Sequence, residues 1–291
     1  MFSGFTLETV DVGPVRVRVR HGGSGTPVVL VHGHPRTHTT WHRVAPELAA
    51  DHFVVCPDLR GYGRSTLPPD EPGHTQSSKR AMAGDIVALM RHLGHDRFSI
   101  AGHDRGSLVA FRAAMDHPGT IDRLVVMDGL PITEHLERLN EDFVRSWWHW
   151  WFLAQTAKPA ERVINADPGA WYRTPLPYEM GEDNHSDVWT ALRDPAVVHG
   201  MCEDYRAGLR VDRAHEEADR AAGRQVRCPT LLLAATEDDI DIHGDPLEIW
   251  RPWIAGELRG AEIRSGHHQA EQAPGEVVRA IREFLRAPVT G

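Results

Sequence analysis

Cysteine, lysine and long apolar runs are scarce in this sequence, and each scarcity excludes a class of protein. The three cysteines, Cys56, Cys202 and Cys228, are too few and too scattered for a disulfide framework or a zinc site. No apolar run is long enough to span a membrane, and the N-terminus lacks the basic and apolar regions of a secretion signal. We therefore expect a cytoplasmic protein without a membrane partner. The two lysines, Lys79 and Lys158, are outnumbered by arginines, which we attribute to genome composition.

The charge balance argues against a further class of function. The chain has 41 acidic residues against 32 lysines and arginines, which gives a formal net charge of -9. Such a chain is poorly suited to binding nucleic acid, although a local cleft can carry the opposite sign. With 291 residues, 41% of them hydrophobic, it can bury a large core as one elaborated domain or as two.

Strand and helix patterns alternate along much of the chain. Two short strand patterns near the N-terminus, 5–10 and 15–21, predict a hairpin. Buried parallel strands are predicted at 28–32, 53–57, 97–101, 123–127 and 230–235. Residues 80–93 and 107–117 have helical spacing. This order predicts an α/β fold with a doubly wound, mostly parallel sheet.

The pattern changes at about residue 134, where strand signals stop and helical, tryptophan-rich sequence begins. The tryptophans of this part are Trp147, Trp148, Trp150, Trp151, Trp171 and Trp189. We predict that residues 1–133 and 218–291 form the core and that residues 134–217 form an inserted helical cap. A cap over the strand ends can exclude water and build a substrate pocket.

The pentapeptide Gly102-His103-Asp104-Arg105-Gly106 follows the predicted strand 97–101. Small residues at both of its ends permit a nucleophile elbow, in which Asp104 takes the place usual for serine. A carboxylate that attacks a saturated carbon forms an ester that water can cleave, whereas serine would form a stable ether. The motif therefore predicts displacement at an sp3 carbon, such as a carbon–halogen bond or an epoxide. The simpler alternative is a glycine-flanked turn with a capping aspartate.

A histidine base is predicted near the C-terminus. His267 lies in a loop before the amphipathic stretch 275–285, and we expect it to activate water against the ester. His268 is its local competitor. The acid that orients the histidine is open between Asp128 and Asp238, because both follow predicted parallel strands. The further acidic residues around Asp238 favour a solvated loop there.

The segment His32-Gly33-His34-Pro35 follows a buried-strand pattern and forms a predicted turn. Backbone N–H groups of His34 and Arg105 are expected to form the oxyanion hole. Such a turn upstream of an elbow, with the histidine near the C-terminus, is the order of motifs in the α/β-hydrolase fold.

Together these motifs resemble the haloacetate (fluoroacetate) dehalogenases of the α/β-hydrolase superfamily over almost the whole chain. The matching segments are 32–35, 41–46, 58–63, 78–82, 102–106, 148–150, 152–155, 202–206 and 265–268. The resemblance implies an α/β-hydrolase fold with a helical cap. It also implies Asp104 as the nucleophile, His267 as the base and Asp128 as the acid.

The resemblance further implies how substrate is held. It implies a halide site formed by His149, Trp150 and Tyr205, whose N–H and O–H donors would stabilise the leaving anion. Two arginines are expected to hold the substrate carboxylate. The first is present as Arg105, but Leu108 occupies the position of the second. A protonated His34 could compensate. The alternative for Arg105 is a structural role, in which it caps a helix or pairs with a local acid.

Three functions follow as hypotheses. The leading one is a hydrolytic dehalogenase of small 2-haloacids. An epoxide hydrolase with the same nucleophile and base is the alternative, and a non-catalytic binding protein of the same fold is the third. We expect a small molecule and water as reactants, without cofactor, metal or nucleic acid; a homodimer is an assembly that the sequence leaves open.

Overall fold

The computed structural model describes residues 1–172 and 177–287, so residues 173–176 of the predicted cap lie outside the described residues. Its strands are β1 Thr6–Asp11, β2 Arg16–Gly23, β3 Thr26–Val31, β4 His52–Pro57, β5 Phe98–His103, β6 Ile121–Met127, β7 Thr230–Ala235 and β8 Leu258–Ile263. They form one sheet in the order β1-β2-β4-β3-β5-β6-β7-β8. The pairs β1–β2 and β2–β4 are antiparallel, and all the others are parallel. The predicted hairpin and mostly parallel sheet are confirmed.

Helices fill the connections between the strands. In chain order they are α1 Ala45–Leu48, α2 Lys79–His92, α3 Arg105–Asp116, α4 Ile132–Glu137, α5 Glu141–Trp147, α6 His149–Leu153, α7 Ala160–Ala166, α8 Pro168–Tyr172, α9 Pro177–Met180, α10 Glu182–Leu192, α11 Pro195–Ala207, α12 Arg213–Ala221, α13 Pro246–Trp250, α14 Gln269–Gln272 and α15 Pro274–Arg286. Local chemistry sets their ends: Ser78, for example, caps α2 by accepting the backbone N–H of Ala81. No helix within residues 1–172 and 177–287 is both long enough and apolar enough to cross a membrane.

Both faces of the sheet are covered, as expected for a doubly wound fold. Successive side chains of a strand point to opposite faces. Val28 and Leu30 of β3 belong to a buried cluster with residues of α1 and α15. Val29 and Val31 belong to a second cluster with residues of α2 and α3. This two-sided burial explains why the central strands appear in the sequence as continuous apolar runs.

The last strand, β8, has no counterpart among the predicted strands. It lies at the edge of the sheet, and its residues from Arg259 to Glu262 are exposed. An edge strand of this composition lacks the apolar run that marks the central strands. Its importance is positional, because the loop that follows it carries His267.

The described residues between β6 and β7 fold into helices α4 to α12, as predicted for the inserted segment. Its division from the core at residues 134 and 217 remains a proposal. Asn184 of α10 donates a hydrogen bond of 3.1 Å to Oε1 of Glu271, in α14. Arg36 pairs with the same buried carboxylate at 2.9 Å. These contacts join the helical segment to the loop after β3 and to the histidine loop.

Candidate active site

The elbow is a tight turn between β5 and α3. Asp104 has φ 53° and ψ −122°, a conformation that residues with side chains rarely adopt. A Cβ on Gly102 would lie 2.1 Å from the carbonyl oxygen of Gly106, and a Cβ on Gly106 would lie 2.3 Å from that of His32. Because only glycine fits both positions, the chain can turn sharply and hold the Asp104 side chain at the carboxyl end of the sheet.

The two carboxylate oxygens of Asp104 have different surroundings. Oδ1 accepts the backbone N–H of His34 at 2.6 Å. Oδ2 lies 3.7 Å from Nε2 of His267, beyond ordinary hydrogen-bond distance. Burial opposes ionisation, but the neighbouring His267 and the backbone N–H of Arg105 outweigh it and hold the pKa of Asp104 well below its usual range. The carboxylate is therefore ionised at neutral pH, with Oδ2 available to attack.

His267 faces carboxylates on both sides of its ring. Its Nδ1 lies 3.0 Å from Oδ2 of Asp128 and 2.8 Å from Oδ2 of Asp238. Burial opposes a positive charge, but Asp104, Asp128 and Asp238 together raise the pKa of His267 well above its ordinary value. His103 donates a ring N–H to the His267 carbonyl at 2.6 Å, which ties this loop to β5. Both acids that the sequence left open thus reach the same nitrogen.

A cavity of about 330 Å³ opens in front of the nucleophile. Its lining residues are His34, Pro35, Asp104, Ser146, Trp147, His149, Tyr205, Asp238, Asp239, His267 and His268. Five of the predicted substrate-binding or catalytic residues therefore meet there, from different parts of the chain: His34, Asp104, His149, Tyr205 and His267. His268 lines the same cavity, but its ring is not paired with Asp104, Asp128 or Asp238 in the described residues.

The three predicted halide donors lie close together. The ring centroid of Tyr205 is 5.9 Å from that of His149 and 6.3 Å from that of Trp150. Trp150 is buried beside the cavity and is not among its lining residues. Within the described residues, none of these rings forms a hydrogen bond through its polar atoms. Burial lowers the pKa of His149 to about 4, so its imidazole is neutral at pH 7 and can donate one N–H.

Arg105 lies behind the site and is bound to Asp204 of α11. Its Nη2 donates to Oδ1 and to the carbonyl oxygen of Asp204 at 2.8 and 3.0 Å. Lys79 pairs with the same buried carboxylate. The Arg105 guanidinium also stacks on the Tyr205 ring, 4.3 Å from its centroid. Nη1 forms no hydrogen bond to any described residue, so one end of the guanidinium remains a free donor.

No second cation for the clamp lines the cavity among the residues that the structure describes, and the sequence has Leu108 at the position expected for the second arginine. Leu108 is 4% exposed and packs in the apolar core beside α2. Burial lowers the pKa of His34 to about 3, so its ring is uncharged at neutral pH. The prediction that a protonated His34 compensates for the missing arginine therefore loses its support.

Sequence reasoning missed several members of this site. The pairing of Asp204 with Arg105 and Lys79 was not predicted, although Asp204 lies in a segment that carried the resemblance. His103 was not assigned a role. Asp128, Asp238 and His267 also bring possible metal-ligand atoms within 4.8 Å of one another. We interpret these three residues as a histidine with two acids rather than as a metal site, because both carboxylates face the same imidazole nitrogen.

A tight strand-to-helix elbow with a histidine opposite it, at the carboxyl edge of a doubly wound sheet, is the arrangement of the α/β-hydrolase fold. This chain belongs to the α/β hydrolase fold family, whose model matches residues 26–274. It is a hydrolase, and the resemblance to fluoroacetate dehalogenases is confirmed by comparison with known proteins.

A fluoroacetate dehalogenase from Burkholderia sp is 40% identical over 98% of this chain and 95% of its own length. A soluble epoxide hydrolase from Corynebacterium sp. (strain C12) is 30% identical over 98% of this chain and 99% of its own. Among solved structures, a protein from Nostoc sp PCC 7120, provisionally named an α/β hydrolase, superposes with a TM-score of 0.95 at 35% identity, covering 99% of this chain and 100% of that one.

Proposed function

We propose that this hydrolase is a dehalogenase that cleaves the carbon–halogen bond of small 2-haloacids through an ester on Asp104. The observation that carries the proposal is that the two carboxylate oxygens of Asp104 have different surroundings. Oδ1 is held by a backbone N–H, whereas Oδ2 faces the cavity and His267. The similarity to a fluoroacetate dehalogenase supports the substrate class.

In the first step, Oδ2 of Asp104 forms a bond to the halogen-bearing carbon and the halide leaves with the bonding electron pair. Displacement from the opposite side inverts the configuration of that carbon. His149, Trp150 and Tyr205 offer the departing halide N–H and O–H donors that are otherwise unpaired in the described residues. Such donors accelerate the reaction because the charge that they stabilise develops in the transition state.

In the second step, water hydrolyses the ester. Alkylation removes the negative charge of Asp104, which lowers the pKa of His267 and leaves Nε2 able to take a proton. The water oxygen then bonds to the carboxyl carbon of Asp104, and Oδ1 becomes an oxyanion facing the N–H groups of His34 and Arg105. Collapse breaks the bond between the carboxyl carbon and Oδ2. Oδ2 takes the proton that His267 removed from the water and leaves in the 2-hydroxy acid, and the remaining carboxylic acid loses its proton to regenerate the Asp104 carboxylate.

Epoxide hydrolysis is the second candidate, and one feature of the site favours it. An epoxide needs no carboxylate clamp, and here Arg105 already pairs with Asp204 while Leu108 is apolar. Tyr205 or His149 would then hydrogen-bond the ring oxygen. The family relationships and the complete nucleophile–histidine–acid set give no support to a non-catalytic binding protein. We retain a small-molecule substrate, a cytoplasmic location and a homodimer as proposals.

The two activities are separated by assaying the purified protein on both substrate classes. Halide release from fluoroacetate, chloroacetate and bromoacetate is measured beside diol formation from styrene oxide. The dehalogenase proposal expects halide release from at least the chloro- and bromoacids. Diol formation without any halide release would replace it with the epoxide hydrolase.

Replacing Trp150 with phenylalanine is expected to slow fluoride release more than bromide release. The indole N–H is lost while most of the packing remains, and fluoride, a poor leaving group, depends most on hydrogen bonds. A hydrogen bond to a charged group contributes about 1.5–3 kcal/mol, which corresponds to roughly 10–100-fold in rate. The measurement is kcat on fluoroacetate and on bromoacetate. Trp148→Phe is the control, because Trp148 is 51% exposed, whereas Trp150 is buried beside Tyr205. Equal losses on both halogens would indicate a packing role.

Leu108 is buried and does not line the cavity, but an arginine side chain is longer. If the pocket accepts that longer side chain, Leu108→Arg is expected to raise kcat/KM on haloacetates by about tenfold, because a second guanidinium would hold the substrate carboxylate. The wild-type protein should defluorinate fluoroacetate weakly and turn over chloro- and bromoacids better. Leu108→Met is the matched control, since it preserves the apolar contact, and urea unfolding checks that the buried arginine is tolerated. Efficient defluorination by the wild type, unchanged in Leu108→Arg, would show that another group completes the clamp.

A further inference from the structure

We propose that Asp128 and Asp238 act together as the acid behind His267, with one proton shared between their two carboxyl groups. The inference rests on the proposed function only in giving His267 the role of base. It adds Asp238 as a second positioning residue and predicts that neither aspartate is indispensable alone.

The geometry brings both carboxyl groups to a single N–H. Asp128 directly follows β6, and Asp238 follows the neighbouring parallel strand β7. Their Oδ2 atoms lie 3.0 and 2.8 Å from Nδ1 of His267. The other oxygen of Asp128, Oδ1, accepts the backbone N–H of Ala235 at 3.2 Å. Asp128 is therefore held by the sheet as well as by His267.

The electrostatics favour a shared proton. The side chain of Asp128 is fully buried and that of Asp238 is 19% exposed. Two negative charges this close in a buried site repel each other strongly, and one imidazolium can balance only one of them. Burial raises the pKa of Asp128 to about 7. For Asp238, hydrogen bonds with His267 and Asp128 outweigh burial and lower the pKa.

Other titratable groups also face the imidazole. Asp104 lies on its Nε2 side, and the rings of His103 and His268 have centroids 4.7 and 5.2 Å from its own. Burial lowers the pKa of His103 to about 4 and lowers that of His268 well below its ordinary value, so both rings are neutral at pH 7. The pair of carboxyl groups therefore supplies the negative charge on the Nδ1 side of the ring.

The shared role has a measurable consequence. Asparagine in place of either aspartate leaves the other carboxylate on the Nδ1–H, and asparagine is tolerated at the positive φ of 50° found at Asp128. Each single variant, Asp128→Asn or Asp238→Asn, should retain at least about a tenth of wild-type ester hydrolysis. The double variant should lose about 10³–10⁴-fold, as expected when no acid orients the histidine.

The experiment combines a kinetic and a substrate-free measurement. Single-turnover hydrolysis of the ester is followed by intact mass after rapid mixing with bromoacetate. The pKa of His267 is followed by NMR titration of its ring without substrate, and it should fall by less than about 1 in either single variant and by more than about 2 in the double variant. Asp241→Asn is the control, because Asp241 is exposed on the same loop as Asp238.

Two results would overturn the proposal: a single variant as slow as the double variant, or an Asp238→Asn protein indistinguishable from wild type in both measurements. The NMR titration needs no substrate, so it tests the carboxyl pair even if no halide is released and the proposed function fails. If the double variant does not fold, the titrations of the two single variants against wild type decide between a shared acid and a single one.

Discussion

Replacing His267 with alanine is expected to stop the reaction at the ester and leave the protein alkylated on Asp104. Displacement of halide needs no general base, because the Asp104 carboxylate is already ionised. Hydrolysis does need a base, and its loss typically slows a reaction by about 10²–10⁴-fold. Steady-state turnover should fall accordingly while one equivalent of halide is still released.

Intact-protein mass spectrometry after incubation with bromoacetate detects the adduct, and peptide mapping locates it. His268→Ala is the matched control, because His268 lines the same cavity without pairing with the nucleophile, so this variant should turn over without accumulating ester. Asp104→Asn combined with His267→Ala should form no adduct. An adduct on Ser107, or on any residue other than Asp104, would disprove the mechanism.

Replacing Asp204 with alanine is expected to destabilise the protein by about 3–5 kcal/mol, the usual cost of removing one partner from a buried ion pair. The carboxylate is completely buried between Arg105 and Lys79, and it also accepts the Tyr62 hydroxyl at 2.7 Å. Its removal leaves two buried cations without their shared counterion. The free energy of unfolding from urea titration measures the loss, and the melting temperature should fall by roughly 10 °C.

Asp194→Ala is the control for this prediction because it changes an aspartate at the start of the same helix, α11. There the side chain only caps the helix, accepting the backbone N–H of Ala196 at 2.9 Å, so the expected loss is about 1 kcal/mol. Asp204→Asn should fall between the two, since it keeps hydrogen-bonding capacity but not the charge. A loss below about 1 kcal/mol for Asp204→Ala would mean that solvent or a neighbouring acid replaces its charge.

The strands, the elbow and the histidine loop were predictable because their signals are local. A buried central strand requires a continuous apolar run, and the glycines at 102 and 106 are required by atoms within the turn or in the adjacent β3. The edge strand β8 was not predicted because it has no such local signal. Its exposed residues need no apolar pattern, and its place is decided by hydrogen bonding to β7.

The sequence by itself determined the sheet-forming segments, the presence of a carboxylate on the elbow and the absence of a second arginine at position 108. Only the tertiary structure decided that Asp128 and Asp238 both reach His267, and that Arg105 pairs with Asp204, 99 residues further along the chain. These contacts join β6, β7 and α11 to distant loops. The physical reason is that hydrophobic periodicity and turn chemistry act between neighbours in sequence, whereas the partner of a buried charge is whichever group the packed elements bring within a few ångströms.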